Sequence, residues 1–156
     1  MPLITCTTYI NAPIDRCFDL SRSIDLHILS TAQTQEKAIA GKTSGLIDAG
    51  ETVTWEAIHF RVRQKLTVRI EEVNRPHFFS DRMLKGAFKS MYHEHHFEEV
   101  GDGTLMTDRF SFESPFGILG QLFNMLILTR YMNGFLQQRN ETIRLMAEGD
   151  DWQKLL

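Results

Sequence analysis

The sequence predicts an α+β domain in which a curved sheet of seven antiparallel strands wraps around one long C-terminal helix. Three observations lead to this fold class. Hydrophobic residues alternate with a period of two between residues 35 and 113, short turns containing Gly, Asn or Pro divide that stretch, and the period becomes helical after residue 115. Because strands joined by such short turns run antiparallel, the alternating segments form one antiparallel sheet.

The chain begins with one strand and two short helices. Residues 3–10 alternate, with β-branched side chains on both faces, which predicts the first strand. Pro13 suits the first turn of a helix, and the apolar side chains that follow it give this short helix one buried side. Ser23 then caps a second short helix over residues 23–30.

Six further strands and a long helix complete the chain. The predicted strands span residues 35–40, 51–59, 62–73, 77–84, 88–100 and 104–113. Apolar residues then recur every three or four positions over 115–148, which predicts a helix that ends at Gly149. Such a helix is about 48 Å long but only about 10 Å wide, whereas seven strands make a sheet roughly 30 Å wide. We therefore expect the sheet to curl around the helix and leave a cavity or a core of large side chains.

Length and composition limit the class of protein. The 156 residues, 42% hydrophobic and 24% charged, are typical of one globular domain spanning residues 1–156. A net charge of −3 favours neither nucleic acid nor a membrane surface as partner, and the apolar stretches are too short for stable membrane insertion. Without a secretory signal, we expect a cytoplasmic protein in which Cys6 and Cys17 are buried thiols. The sequence is compatible with a homodimer as well as with a monomer.

Two segments and the order of the elements resemble a known superfamily. Residues 11–18, Asn-Ala-Pro-Ile-Asp-Arg-Cys-Phe, are similar to the strand-to-helix junction usual in the START/Bet v 1-like superfamily, also called SRPBCC. Residues 103–108, Gly-Thr-Leu-Met-Thr-Asp, and the closing amphipathic helix are similar to that group as well. The resemblance covers essentially the whole chain and implies the helix-grip fold. It is greatest toward bacterial ligand-binding members grouped with polyketide cyclases and dehydrases, and it implies no catalytic residues because the superfamily shares no catalytic motif.

The alternation also predicts which strand faces point inward. On the last strand Asp108 shares the apolar face with Phe110, and on the strand before it His93 and His95 lie on the apolar face. A two-residue turn at residues 101–102 sets a register that places His95 directly opposite Asp108. The inward faces of both strands match in this register, which supports it independently.

Polar side chains therefore lie in the predicted interior. This cluster comprises His59, Gln64, His93, His95 and Asp108. Because an unpaired buried polar group costs about 1–3 kcal/mol, the cluster needs partners, which are one another, water or a ligand. We expect it to bind the polar end of a ligand whose apolar body contacts aromatic side chains. The aromatic residues of this expected site are Trp55, Phe110 and Tyr131.

The pair of His95 and Asp108 has three interpretations. It is a structural hydrogen bond between strands, the polar floor of a ligand pocket, or a general acid–base pair in which Asp108 raises the basicity of His95. His93 and His95 could also ligate a metal with Asp108 or His59 as third ligand. No cysteine partner and no His-x-x-x-His pattern supports this, so we expect no metal and no cofactor.

The sequence thus predicts a protein that binds or carries a small, largely hydrophobic molecule between the sheet and the C-terminal helix. Two other classes stay open. One is a cyclase or dehydratase that uses His95 and Asp108 as general acid and base. The other is a protein-interaction module whose interior is filled. The sequence does not decide whether any reaction is catalysed.

Overall fold

The structure is a computed structural model that describes residues 2–115 and 117–156. Its strands are Leu3–Ile10 (β1), Lys37–Gly41 (β2), Thr52–His59 (β3), Val62–Asn74 (β4), Phe78–Lys85 (β5), Ser90–Val100 (β6) and Gly103–Glu113 (β7). Its helices are Ile14–Ser21 (α1), Ile24–Ser30 (α2), Gly117–Phe123 (α3) and Thr129–Glu148 (α4), with a π turn at Asn124–Leu128 and 3₁₀ turns at Ala32–Thr34 and Asp151–Lys154. The order of elements is the predicted one.

The strands form one antiparallel sheet in the order β1-β7-β6-β5-β4-β3-β2. The two-residue turn between β6 and β7 is present, with Gly101 at a φ of 58°, and it pairs His95 with Asp108 as predicted. Register shifts interrupt the pairing of β2 with β3 and, at two places, that of β4 with β5. Because such bulges bend and twist a strand, they help to curve this half of the sheet.

The concave face of the sheet holds α4, and α1 and α2 close its sides. At one end the interior is solid. There Phe18 of α1 packs against Phe79 and Phe97, with ring centroids 5.4 and 5.2 Å apart, and Ile143 of α4 is almost completely buried. The other end holds the cavity described below, because the single helix does not fill the curled sheet there.

The starts of α1 and α2 lie close to the positions predicted from Pro13 and Ser23. Pro13 is extended and directly precedes the first turn of α1. Ser23 is the N-cap of α2, where its hydroxyl accepts a hydrogen bond from the backbone N–H of Leu26 at 3.2 Å. His27, which follows Leu26 in this first turn of α2, lies on the side of the helix that lines the cavity.

The predicted C-terminal helix is present but divided. Phe116, at its predicted start, lies outside the described residues, and the π turn separates α3 from α4. The sequence spacing groups Leu119 and Leu122 with the buried stripe of α4, yet they are 81% and 56% exposed. The reason is that the wider π turn rotates the residues before it relative to those of α4. None of the helices in the described ranges is both long enough and apolar enough to cross a membrane.

Candidate functional site

A cavity of about 530 Å³ lies between the concave face of the sheet and α4. This volume is within the usual range for small-molecule sites. Side chains from α2, β3, β4, β6 and α4 form its walls. The apolar wall residues include Ile24, Val53, Val68, Ile70, Met91, Met132 and Leu136. Their inward orientation follows from the period of two in the strands and of 3.6 in the helix.

The structure brings most of the predicted site residues to this cavity. Those that line it are Trp55, His59, Gln64, His93, His95, Phe110 and Tyr131. Asp108 is the exception, because it is completely buried and lies behind the imidazoles of His93 and His95. The predicted polar cluster is therefore divided into a group around Asp108 and a second group around His59.

Asp108 is the centre of what we call the buried network, the side chains of Asp81, His93, His95, Asp108, Arg139 and Asn140. Its Oδ1 accepts a hydrogen bond from His93 Nε2 at 2.8 Å, and its Oδ2 accepts one from Asn140 Nδ2 at 2.6 Å. Arg139 Nη1 lies 3.5 Å from Asp108 Oδ1 and donates to Asn140 Oδ1 at 2.9 Å. The network thus joins β6 and β7 to the middle of α4.

The hydrogen bond between His95 and Asp108, one of the three interpretations of this pair, does not form, although the two residues are paired in the sheet. His95 Nδ1 lies 3.2 Å from Asp108 Oδ1 but is not aligned for a hydrogen bond, and it has no other partner among the described residues. Instead, His95 Nε2 donates to Asp81 Oδ2 at 3.0 Å. Asp108 Oδ1 accepts from His93, while β5 places the Asp81 carboxylate on the other side of the His95 ring.

Burial and charge together set the protonation of the network. Burial by itself raises the pKa of Asp108, but the contacts with His93 and His95 and the charge of Arg139 hold that pKa well below its usual value. Burial by itself also raises the pKa of Asp81, but the hydrogen bond from His95 and the charges of His93, His95 and Arg139 together lower it. Burial and the neighbouring His95 lower the pKa of His93 by more than Asp108 raises it. At neutral pH, His93 is therefore a neutral imidazole beside two carboxylates.

His93 and Asp81 present polar atoms of this network to the cavity. His93 lines the cavity, and its Nδ1 makes no hydrogen bond within the described part of the chain. Because Asp108 holds the proton on Nε2, Nδ1 carries a lone pair that can accept a hydrogen bond or a proton. Asp81 also lines the cavity, and its side chain is 13% exposed. A bound molecule would therefore meet an imidazole acceptor and a carboxylate.

The second polar group lies on the wall formed by α2, β3 and α4. His59 Nδ1 and the Tyr131 hydroxyl form a hydrogen bond of 2.7 Å, and Gln64 Nε2 donates to the His59 carbonyl at 3.4 Å. Burial lowers the pKa of His59 and raises that of Tyr131, so both are neutral at pH 7. Nearby, His27 Nε2 donates to Glu36 Oε1 at 2.8 Å.

Four residues of these groups were not predicted from the sequence. Asp81 has a signal in the sequence, because it alternates with Phe79 on the inward face of β5. Arg139 and Asn140 have a weaker one, as polar residues inside the apolar stripe of α4. Glu36 has none, because the backbone turns through a left-handed conformation at the residue before it and alternation does not extend across such a turn. The four residues are Glu36, Asp81, Arg139 and Asn140.

In the structure, the residue that could complete a metal site with His93 and His95 differs from the two considered from the sequence. Asp81, rather than Asp108 or His59, joins His93 and His95, with one ligand atom from each within 4.8 Å of the others. A metal ion there would compete with the hydrogen bond from His95 to Asp81, and the guanidinium of Arg139 lies close by. The donor set is therefore compatible with a metal, but the charge beside it is unfavourable, and the absence of a metal stays a prediction.

Comparison with known proteins identifies the fold. No family model matches the sequence, and no curated protein matches it. Protein TTHA0849 from Thermus thermophilus is similar in structure with a TM-score of 0.77 and 16% identity, over 94% of this chain and 97% of that one. Ginseng major latex-like protein 151 from Panax ginseng has a TM-score of 0.71 and 17% identity, over 95% and 98% of the two chains.

A START superfamily protein from Mycobacterium smegmatis is similar with a TM-score of 0.71 and 8% identity, over 94% of this chain and 97% of that one. The chain therefore has the START/Bet v 1-like (SRPBCC) helix-grip fold, as the sequence resemblance implied. At these identities the likeness defines the fold, and the function has to be argued from the site.

Proposed function

We propose that this protein binds a small, largely apolar molecule in the cavity between the sheet and α4. One observation carries the proposal: a cavity of about 530 Å³ with mainly apolar walls ends on the polar side chains of Asp81, His93 and His95. A chain under selection for stability alone would fill this space, because unfilled volume in a core is destabilising. The START/Bet v 1-like fold, which the sequence resemblance connects with ligand-binding proteins, supports the same conclusion.

The proposed contacts differ in their chemistry. His93 Nδ1 and the Asp81 carboxylate bind the polar end of the molecule, and His95 positions Asp81 through its hydrogen bond of 3.0 Å. Asp108 acts through His93, whose tautomer it fixes. The other proposed contact residues are Trp55, His59, Gln64, Phe110 and Tyr131.

A catalytic role, as a cyclase or dehydratase, is the second candidate. The sequence favours His95 and Asp108 as general acid and base, but both ring nitrogens of His95 face carboxylates. His93 has the geometry of a general base, since Asp108 holds its Nε2–H and its Nδ1 is free to accept a proton. This observation makes His93 the base in the catalytic alternative.

The binding proposal is tested by extraction. We expect organic solvent to release a stoichiometric small molecule from protein purified without denaturation, identified by mass spectrometry. Ala57→Trp places a large side chain in the cavity, where Ala57 is 5% exposed, and should abolish this release. Ala49→Trp, in an exposed loop, is the matched control and should retain it. Loading of Ala57→Trp equal to that of the control would refute the proposal.

His93→Gln separates binding from catalysis, with the extracted molecule as the substrate to be tested. A binding protein loses affinity when the acceptor at Nδ1 is changed and shows no turnover in either form. An enzyme that uses His93 as base converts the molecule, and the variant loses turnover by about 10²–10⁴-fold while binding remains. Turnover by the wild type would establish the catalytic alternative.

Location and partners form part of the same proposal. We place the protein in the cytoplasm, where Cys6 and Cys17, both free and buried, remain reduced. Its partner is the small molecule, and the net charge of −3 argues against nucleic acid. Fractionation of cells and sedimentation of the purified chain test the location and the possibility of a homodimer.

A further inference from the structure

Glu36 is a buried carboxylate on the cavity wall that the contacts described so far do not explain. It directly precedes β2, is 7% exposed and lines the cavity. Its Oε1 accepts the hydrogen bond from His27 Nε2 at 2.8 Å. Its Oε2 is also buried but has no hydrogen-bond partner among the described residues. The side chain of His27 is held in turn by Trp55, whose ring centroid lies 4.2 Å away.

An unpartnered carboxylate oxygen in such a position is costly. A carboxylate accepts up to about four hydrogen bonds, and burying one without compensation is strongly unfavourable. Within the described ranges, no Lys or Arg side chain forms an ion pair with Glu36. His59 and Tyr131, the ionisable groups of β3 and α4 that sense the charge of Glu36, are hydrogen-bonded to each other. The position requires a donor that the described residues do not provide.

Glu36 lies far from the polar end of the cavity at His93. In the order of the sheet, β2 and β6 are separated by four strand spacings, which is about 19 Å along the sheet and less across its concave face. The strands between them contribute apolar residues such as Trp55, Val68 and Ile70 to the wall, besides the polar His59 and Gln64 described above. A molecule that reaches both places is therefore elongated, with an apolar middle.

We propose that Glu36 Oε2 accepts a hydrogen bond from an amine or hydroxyl group of the bound molecule, at the end remote from His93. The inference rests on the proposed ligand-binding function and adds the chemical class of the ligand. The cavity wall carries the carboxylates of Glu36 and Asp81, with Asp108 behind it and Arg139 paired to Asp108. Two further cationic residues line the cavity, but Arg22 is paired with Asp19 and Lys65 is exposed. A molecule with a neutral or cationic donor therefore fits the buried part of this wall better than one with a carboxylate.

Four compounds of similar size, differing in one end group, test the inference. They are octylamine, 1-octanol, methyl octyl ether and octanoic acid, each measured at pH 7 by displacement of the neutral fluorescent probe N-phenyl-1-naphthylamine. We expect octylamine to bind the wild type at least about tenfold more tightly than the ether, because a hydrogen bond to a charged group is among the stronger ones. We expect 1-octanol to lie between them and octanoic acid to be the weakest.

Glu36→Gln should remove the preference for octylamine and leave the affinities of the ether and of the probe within about twofold of the wild type. Glu56→Gln is the matched control. Glu56 lies on the neighbouring strand β3, accepts a hydrogen bond from Arg63 at 3.0 Å and points away from the cavity. This control should keep the full preference. Equal affinities for octylamine and the ether in the wild type, or a preference that persists in Glu36→Gln, would overturn the inference.

A second measurement needs no variant and so does not depend on Glu36→Gln being able to fold. In wild-type protein with ¹³C-labelled glutamate, octylamine should move the carboxyl resonance of Glu36 and the ether should not. No difference between the two compounds would also overturn the inference. If neither the probe nor the ether binds the wild type, the proposed function itself has failed. If octylamine and the ether bind with equal affinity, the proposed function stands and the proposed role of Glu36 is wrong.

Discussion

Replacing Asp108 with Asn removes one charge from the buried network and nearly preserves the shape of the side chain. In the wild type both carboxylate oxygens accept hydrogen bonds, from His93 at 2.8 Å and from Asn140 at 2.6 Å. In Asp108→Asn the new amide group faces one of these donors with an N–H of its own. Arg139, whose side chain is 5% exposed, also loses the carboxylate that lies 3.5 Å away.

The size of the effect follows from the burial of the two partners. Removing one member of a buried ion pair costs about 3–5 kcal/mol, whereas a domain of ordinary size is stable by about 5–15 kcal/mol. We therefore expect Asp108→Asn to fold with a greatly reduced free energy of unfolding. Asp81→Asn is the comparison, because Asp81 is 13% exposed and accepts one hydrogen bond from His95. Its loss should cost less, about 1.5–3 kcal/mol.

Urea unfolding followed by circular dichroism at pH 7 measures both effects, with the free energy of unfolding obtained by linear extrapolation. The reasoning requires Asp108→Asn to be the less stable of the two variants, with a slope against urea like that of the wild type. A loss below about 1 kcal/mol for Asp108→Asn, or a larger loss for Asp81→Asn, would refute the central position of Asp108 in the network.

Three further predictions concern pH, the thiols and a helix cap. Folding lowers the pKa of His93, so the unfolded state binds more protons than the folded state below about pH 6.5. Thermal stability should therefore fall between about pH 7 and 5. His93→Gln should reduce this fall, whereas the control His77→Gln, at an exposed position, should leave it unchanged. Burial raises the pKa of Cys6 and of Cys17, so Ellman's reagent should label both only after unfolding, and rapid labelling of the folded protein would contradict their burial. Ser23→Ala should lower the free energy of unfolding by about 1 kcal/mol, and an unchanged urea midpoint would show that the cap contributes nothing.

The pairing of His95 with Asp108 could be predicted because local chemistry determines it. A two-residue turn fixes the register of the hairpin, and the period of two fixes the inward faces. Both signals lie within a few residues of the turn, so they need no knowledge of the rest of the fold. The adjacency of β2 through β7 was predictable for a related reason, since it follows from short connections, and the width of one helix predicted either a cavity or a core of large side chains. The place of β1 beside β7 does not follow from a short connection and was not predicted.

The hydrogen bonds within the cluster could not be predicted in the same way. Which carboxylate His95 meets depends on the position of β5 beside β6, and that hairpin has a longer turn that leaves its register undetermined. Arg139 and Asn140 reach Asp108 only because α4 has a particular rotation about its axis. The π turn before α4 contributes to that rotation, and apolar periodicity does not reveal such a turn. The same turn explains why Leu119 and Leu122 are exposed.

The most direct test of a ligand cavity is to observe which methyl groups sense a bound apolar probe. In ¹H–¹³C NMR spectra, N-phenyl-1-naphthylamine should shift the methyl resonances of Val53, Val68 and Leu136, which line the cavity, and the shifts should saturate together. Ile10 and Ile143, in the solid end of the core, should remain unchanged. Shifts confined to the exposed Leu119 and Leu122 of α3, or no saturable shifts at all, would contradict binding inside the fold.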